Sequence, residues 1–390
     1  MIERADLDAE SVVGSDETAD ACDNRFMVQV NFSSPDILMV GAGVMGMLSA
    51  LELAEAGQKV LMIDQGRAGL EASWAGGGII SPLYPWRYAP PITALATWSQ
   101  QAFPDLIASL TDSTGIDSEL SANGMLVTAT DERDQALAWG AGLSRAVIEI
   151  SDQEARVLEP HVHLDATPLW MPRVASVRTP RMGQALRQAC LDHPKIELRE
   201  HQEVSLGGDL DDPQAFSGSQ RIAAHRIVLS TGAWTGYLLS GLNVRCPIQP
   251  MKGQMLLFSP CHLVHRVVLA NGRYAIPRAD GRIVFGSTLE DVGFQRTPDR
   301  DAFDSLYASA VHLVPQLATV DIEAQWAGFR PGSPEGMPWI GPMSEKLWVN
   351  SGHFRNGVVL SPASSRLLCD LMMGRTPIID PTPYQPRNSV

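Results

Sequence analysis

This chain is short of several things, and each shortage removes a class of protein. No apolar run reaches the roughly 18 residues that a membrane-spanning helix requires. Positive charge is outnumbered, with 30 Lys and Arg against 44 Asp and Glu and a net charge of −14. That balance disfavours a nucleic-acid or anionic-membrane partner and says nothing about fold. The five cysteines (Cys22, Cys190, Cys246, Cys261, Cys369) are odd in number and form no Cys-x-x-Cys pair. A reduced, cytoplasmic setting is the expectation. The first thirty residues are acidic and polar, unlike a secretory signal. No Gly-x-Ser-x-Gly elbow and no P-loop occurs. His161-Val-His163 invites a metal reading, but no nearby carboxylate or cysteine completes a ligand set, so no metal is expected.

What is present is a nucleotide-binding signature. Asp36-Ile-Leu-Met-Val40 is a short apolar run that ends in Gly41-Ala-Gly43-Val-Met-Gly46. A helical pattern follows from Val44 to Ala56 and stops at Gly57, and a second strand, 59–63, ends on Asp64. In this βαβ unit Gly41 makes the tight turn, Gly43 admits a pyrophosphate close to the backbone, and Gly46 lets helix and strand pack. The helix N-terminus offers free N–H groups and partial positive charge to the diphosphate. Asp64 is spaced to accept from an adenosine ribose, and its charge opposes a 2′-phosphate. FAD or NAD therefore fits better than NADP.

Length suggests about two or three domains. Residues 1–34 read as a disordered acidic lead. A helix is expected over 93–110, a strand over 124–130 and a helix over 131–146. Ser151-Asp-Gln-Glu154 has the form of a capping box. Thr179-Pro180 reads as the cap and first turn of a helix. Strands at 196–199 and 226–230 flank a polar turn region. Short strands at 253–258, 265–269, 273–277 and 282–286 suggest an antiparallel sheet. A helix near 301–314, strands at 321–329 and 347–350, and a helix from 357 to 373 complete the chain. The order implies an α/β fold in which a Rossmann-like domain (35–90, 150–235, 325–378) interleaves with a substrate domain (91–149, 236–324).

Gly76-Gly77-Gly78 removes side chains where a backbone must lie against something flat, or forms a flexible loop. Ser230-Thr-Gly-Ala-Trp234 ends a strand in small residues suited to a second approach to the dinucleotide. Gly352-His-Phe-Arg-Asn-Gly357 leads into a helix whose N-terminus, aimed at a flavin pyrimidine edge, would stabilise charge developing there. His353 reads equally well as a loop histidine with a satisfied hydrogen bond.

Together, Gly41–Gly46, Ala72-Ser-Trp-Ala-Gly-Gly-Gly78, Tyr274-Ala-Ile-Pro-Arg278, Gly286-Ser-Thr-x-Glu290, Trp326-Ala-Gly-Phe-Arg330-Pro-Gly and Gly352–Gly357 resemble the glycine oxidase family of thiamine biosynthesis. That family sits within the D-amino-acid oxidase superfamily of FAD enzymes. The resemblance implies non-covalent FAD and a substrate domain on an antiparallel sheet. No cysteine stands in the tail motif, where related sarcosine oxidases attach their flavin. By the same resemblance, Arg330 grips the substrate carboxylate, the Tyr274 hydroxyl assists, and Arg355 lies beside the substrate. FAD contacts map to Val44, Met45, Asp64, Gln65, Ala72, Ser73, Gly77, Gly78, Ile79, Val204 and His353, Phe354, Arg355, Asn356, Gly357, Val358 and Val359. The implied reaction is hydride transfer from an amino acid to flavin, with oxygen as final acceptor and peroxide as by-product. A thiazole synthase as taker of the imine and a homotetramer are further implications. From the residues alone, a guanidinium suits a carboxylate through two parallel charge-assisted bonds. On spacing alone Arg330 fits an interdomain ion pair as readily, and Tyr274 a core tyrosine. Rival readings are a D-amino-acid or secondary-amine oxidase or dehydrogenase of the same fold, an NAD-dependent dehydrogenase, and a non-catalytic flavin subunit.

Overall fold

The computed structural model describes residues 34–142 and 146–386. The expected acidic lead and the end of the 131–146 helix thus lie largely outside the described residues. Among the described residues no helix is long and apolar enough to cross a membrane.

A six-stranded sheet runs in the order Trp339–Pro342, Leu347–Ser351, Arg226–Leu229, Ile37–Val40, Val60–Ile63, Ile196–Arg199. All neighbours are parallel except the first pair. Its central strands Ile37–Val40 and Val60–Ile63 are apolar at every position because both faces are covered. Ile37, Met39, Val60 and Met62 pack on one face under the helices Val44–Glu55, Pro90–Thr114, Thr179–Asp192 and Gly357–Met372. Leu38, Val40, Leu61 and Ile63 point the other way, the two-residue period of a strand. They meet a three-stranded sheet (Ser205–Gly208, Pro213–Ser217, Gln220–Ile222) and the short helix Thr235–Ser240.

An eight-stranded sheet runs Ile322–Gly332, Gln249–Phe258, Ile283–Gly286, Arg273–Pro277, Val267–Ala270, Met125–Ala129, Leu169–Met171, Ile148–Glu149. It is antiparallel throughout except where Val267–Ala270 meets Met125–Ala129. The helix Arg300–Leu313 covers one face, over Leu256, Ala275, Ile283 and Phe285. Met255, Tyr274, Ile276 and Val284 lie on the other, with Tyr84 and Trp86.

Several elements depart from the sequence reading. The polar region between 199 and 226 forms the three-stranded sheet, and Leu169–Met171 is a strand too short for periodicity to show. The domain borders at 90, 150 and 325 do not follow the sheets: Leu169–Met171 and Ile322–Gly332 belong to the eight-stranded sheet, and Pro90–Thr114 packs on the six-stranded one. Thr179 does not cap its helix. Arg178 occupies the N-cap without a side-chain bond, and the Thr179 hydroxyl donates across the molecule to the carbonyls of Trp74 and Gly76. The capping box at Ser151 and Glu154 is present in both directions.

Candidate active site

In a parallel sheet the ligand crevice opens at the carboxyl ends of strands where the strand order reverses. Here that point lies between Ile37–Val40 and Arg226–Leu229, and a cavity of about 1690 Å³, its open mouth included, begins there. Gly41, at φ +98°, cannot carry a side chain: a Cβ would stand 2.6 Å from the Ser230 carbonyl oxygen. A Cβ on Gly46 would stand 1.9 Å from the Gly41 oxygen, so this glycine closes helix onto turn and does not line the cavity. The Val44 amide donates to Ser73 Oγ at 2.9 Å, tying the helix start to the segment that carries the glycine triplet.

Asp64 accepts from the amides of Ala42 (2.7 Å) and Gly66 (2.8 Å). Burial pushes its carboxyl up from the ordinary value, and those two amides pull against the shift. Each oxygen keeps a lone pair for a ribose hydroxyl. Ser230 Oγ is buried with no hydrogen-bond partner, as is Asn350 Oδ1, and both residues line the cavity. Buried polar atoms left without partners mark where a ligand supplies them. A glycine cradle at a helix N-terminus, a spaced carboxylate and orphaned polar atoms fit a dinucleotide.

The glycine triplet has a reason the sequence does not show. A Cβ on Gly77 would stand 2.5 Å from Ile276 Cδ1 and 3.2 Å from the Tyr274 ring, and one on Gly78 would stand 2.1 Å from the Val177 oxygen. The second sheet excludes a side chain at Gly77, and the main chain just before the helix Thr179–Asp192 excludes one at Gly78. Arg278 completes this joint, donating to the carbonyls of Gly77 (3.0 Å) and Val177 (3.1 Å). Burial brings its pKa down to about 10, with the nearby Arg178 adding to the shift, which leaves it charged at neutral pH.

The far end of the cavity is built from side chains. Arg330 sits on Ile322–Gly332, opposite Met251, and donates to the Thr288 carbonyl at 3.1 Å and to Ser287 Oγ at 2.7 Å. Burial lowers its pKa, and Tyr274 is the first influence opposing this. Gly253 makes room for it: a Cβ there would come within 2.4 Å of the guanidinium nitrogens and Cζ. Behind it, Thr288 Oγ1 donates to Glu290, Gln254 donates to Glu290 (2.9 Å) and Asp299 (2.5 Å), and buried Lys252 pairs with both carboxylates. Tyr274 reaches Met255 Sδ at 3.6 Å.

Of the residues singled out in the sequence, Gly41, Gly43, Val44, Met45, Asp64, Gln65, Ala72, Ser73, Gly77, Gly78, Ile79, Val204, Tyr274, Arg330, His353, Phe354, Arg355, Gly357, Val358 and Val359 line this cavity. Gly46 and Asn356 do not; Asn356 is buried beside it. His353 is 1% exposed, its Nε2 lies 3.0 Å from Ser364 Oγ, and burial drops its pKa to about 3. The ring is therefore bonded and neutral while His353 still lines the cavity. The helix Gly357–Met372 has no side-chain cap, so its first amides remain available. Among the described residues no cysteine lines the cavity. Sequence reasoning assigned no role to Gly253, Gln254, Arg278, Ser287 or Thr288. Only the polar residues set in apolar strands could have signalled them.

A dinucleotide cradle continuous with an arginine anchor, spanning a parallel and an antiparallel sheet, defines a flavin-dependent amine or amino-acid oxidoreductase. The chain belongs to the FAD dependent oxidoreductase family (DAO), whose model matches residues 36–371. It is 47% identical to a glycine oxidase of Pseudomonas aeruginosa over 90% of this chain and 99% of that one. The crystal structure of glycine oxidase from Geobacillus kaustophilus superposes with a TM-score of 0.85 at 28% identity, covering 92% of this chain and 99% of the other. A bifunctional protein ThiO/ThiG of Trichormus variabilis is 28% identical, over 87% of this chain and 52% of its own length.

Proposed function

We propose that the protein is an FAD-dependent oxidase of glycine and related small amines such as sarcosine and small D-amino acids. The observation that carries this is Arg330, held by Ser287 and Thr288 on the same cavity as the dinucleotide cradle. Its guanidinium takes the substrate carboxylate in two parallel charge-assisted bonds, which fixes the Cα–H relative to the cradle. Arg355 adds positive charge beside it, and the Tyr274 hydroxyl becomes a further donor on leaving its weak 3.6 Å contact with Met255 Sδ. The lining carboxylates are Asp64, Glu71 and Glu203, none on the strands that carry Arg330 and Tyr274. Asp64 is engaged by backbone amides and Glu71 by Arg296. His353 is neutral and bonded to Ser364. The protein therefore brings no dedicated base to the substrate, which reacts with its amine neutral. Non-covalent FAD would be held by Gly41, Gly43, Val44, Asp64, Gly77 and the 353–359 segment and would supply the redox chemistry there, as acceptor of the Cα hydride with oxygen, reduced to hydrogen peroxide, as the final oxidant. Water then converts the glycine imine to glyoxylate and ammonia.

The ThiO/ThiG name of one relative supports a role in thiamine thiazole formation, with a thiazole synthase taking the imine. By family resemblance the assembly is a homotetramer, which sedimentation of the holoenzyme tests. Anaerobic titration with glycine, sarcosine, D-alanine and D-proline, following flavin absorbance, tests the reaction. Glycine and sarcosine are expected to bleach the flavin, and air to restore it with stoichiometric peroxide. Failure of every amine to bleach the flavin defeats the proposal. Bleaching that only an artificial acceptor reverses makes the protein a dehydrogenase.

A further inference from the structure

The sequence reading rejected a metal at His161-Val-His163 because no carboxylate or cysteine completed a ligand set. Asp165 in the sequence and His312 through the fold together correct that reason. Asp165, two residues on, and His312, from the helix Arg300–Leu313, both converge on His163. His312 Nε2 lies 2.9 Å and His163 Nε2 3.4 Å from the same oxygen, Oδ1 of Asp165. The imidazole rings are 5.0 Å apart at 65°, and one ligand atom from each residue falls within 4.8 Å of the others. Their approach is set by the main chain. The His163 amide donates to the Leu313 carbonyl (2.8 Å), and the amides of Asp165 and Ala166 donate to the Thr128 carbonyl (3.2 and 3.0 Å). His161 stays outside the cluster, engaged with Gln316.

We propose that His163, Asp165 and His312 form a binding site for one divalent first-row metal ion, on the face of the eight-stranded sheet's domain away from the cavity. Two neutral imidazoles and one carboxylate are a borderline-soft set that suits zinc, cobalt or nickel and leaves a fourth, solvent-facing position for water. Binding exchanges two contacts on one carboxylate oxygen for three bonds to a central cation, so it requires only small side-chain rotations. The ion staples the C-terminal turn of Arg300–Leu313 to the segment 161–166, which are far apart in sequence. The site takes no part in amine oxidation; its consequence is stability, since a ligand that binds only the folded state raises its population.

The test uses the full-length holoenzyme stripped of metal with a chelator and titrated with zinc chloride by calorimetry, with the unfolding midpoint followed in parallel. One equivalent is expected to bind, with a midpoint that climbs as free zinc rises. His163→Ala and His312→Ala should each weaken binding by at least about tenfold, and the double variant should lose both the stoichiometric heat and the midpoint shift. Asp165→Asn should behave like either single variant. Cobalt should give visible ligand-field bands that vanish in the double variant. Unchanged turnover of glycine would show that the variants are folded. Zinc binding that persists in the double variant, or no stoichiometric binding in the parent, overturns the assignment and leaves an exposed ion pair.

Discussion

The two ends of the cavity are built on opposite principles. The cofactor end is made of main chain: Gly41, Gly46 and Gly78 are places where one added carbon would strike a carbonyl oxygen. The anchor end is made of side chains, with Gln254 and Lys252 at 0% and 4% exposure supporting Glu290, Thr288 and, through it, Arg330. The first tolerates no extra atom, and the second depends in addition on every side-chain partner being present. Gly78→Ala gives the largest expected effect. Its φ of +81° and the Val177 oxygen 2.1 Å from the new Cβ combine backbone strain with overpacking, about 3 kcal/mol or more. Purified variant should be pale or aggregated, read as flavin absorbance per polypeptide. Full flavin occupancy would show that the cradle yields more readily than its geometry implies.

Gly253→Ala attacks the other end alone. The new methyl overlaps the guanidinium, and Arg330 must leave Ser287 Oγ and the Thr288 carbonyl. A charged hydrogen-bond loss of about 3 kcal/mol corresponds to roughly a hundredfold lower kcat/KM for glycine, carried mostly by KM, with flavin content unchanged. Arg330→Ala should match it in steady-state kinetics. If Gly253→Ala also lost its flavin, the two ends would be coupled and the contrast between them wrong.

Arg278 stands at the joint, because its carbonyl partners belong to the glycine-triplet side while it directly follows the strand that carries Tyr274. Arg278→Met leaves the Gly77 and Val177 oxygens short of a donor while removing the cost of a buried charge. The net loss should be about 2 kcal/mol, seen as a lower urea midpoint with smaller drops in both flavin affinity and glycine kcat/KM. A variant that loses only one of the two functions would assign Arg278 to that end.

The same contrast decides what could be read from the sequence. The cradle was legible because its requirement is local: Gly41, Gly43, Gly46 and Asp64 lie within one βαβ unit, and positive φ and close approach leave only glycine. The anchor draws on positions 253, 274, 287, 330 and 355, brought together by strand register, for which one sequence carries no spacing rule. Resemblance supplied Arg330, Tyr274 and Arg355; nothing supplied Gly253, whose role depends on a guanidinium 77 positions away in the numbering. The three-stranded sheet escaped because Ser205–Gly208 and Gln220–Ile222 are polar on their outer face, where alternation fades into turn composition. In the His163–Asp165–His312 cluster the carboxylate was legible two residues from His163, and only His312, which arrives on a helix from the far side of the chain, needed the fold.

The smallest effect tests how the cofactor end handles charge. Where the anchor end keeps its cation, the tail segment neutralises its histidine: burial holds His353 near pKa 3 beside Ser364, while in the unfolded chain an imidazole titrates near 6.5. Between those values the unfolded state binds a proton that the folded state refuses. This stability is fully present above about pH 6.5 and is lost as pH falls toward 3, by about 1.4 kcal/mol per unit. From pH 7 to 5 the parent should therefore lose about 2 kcal/mol from this group, and His353→Gln, which can still bond Ser364 but does not titrate, should lose that much less in urea unfolding. The difference leaves glycine kinetics at neutral pH out of account, because the ring is already uncharged there. Equal pH slopes in parent and variant would mean that His353 takes its proton in the folded state, placing a positive charge beside the amides of Gly357 and Val358 that the cavity otherwise keeps as uncharged donors.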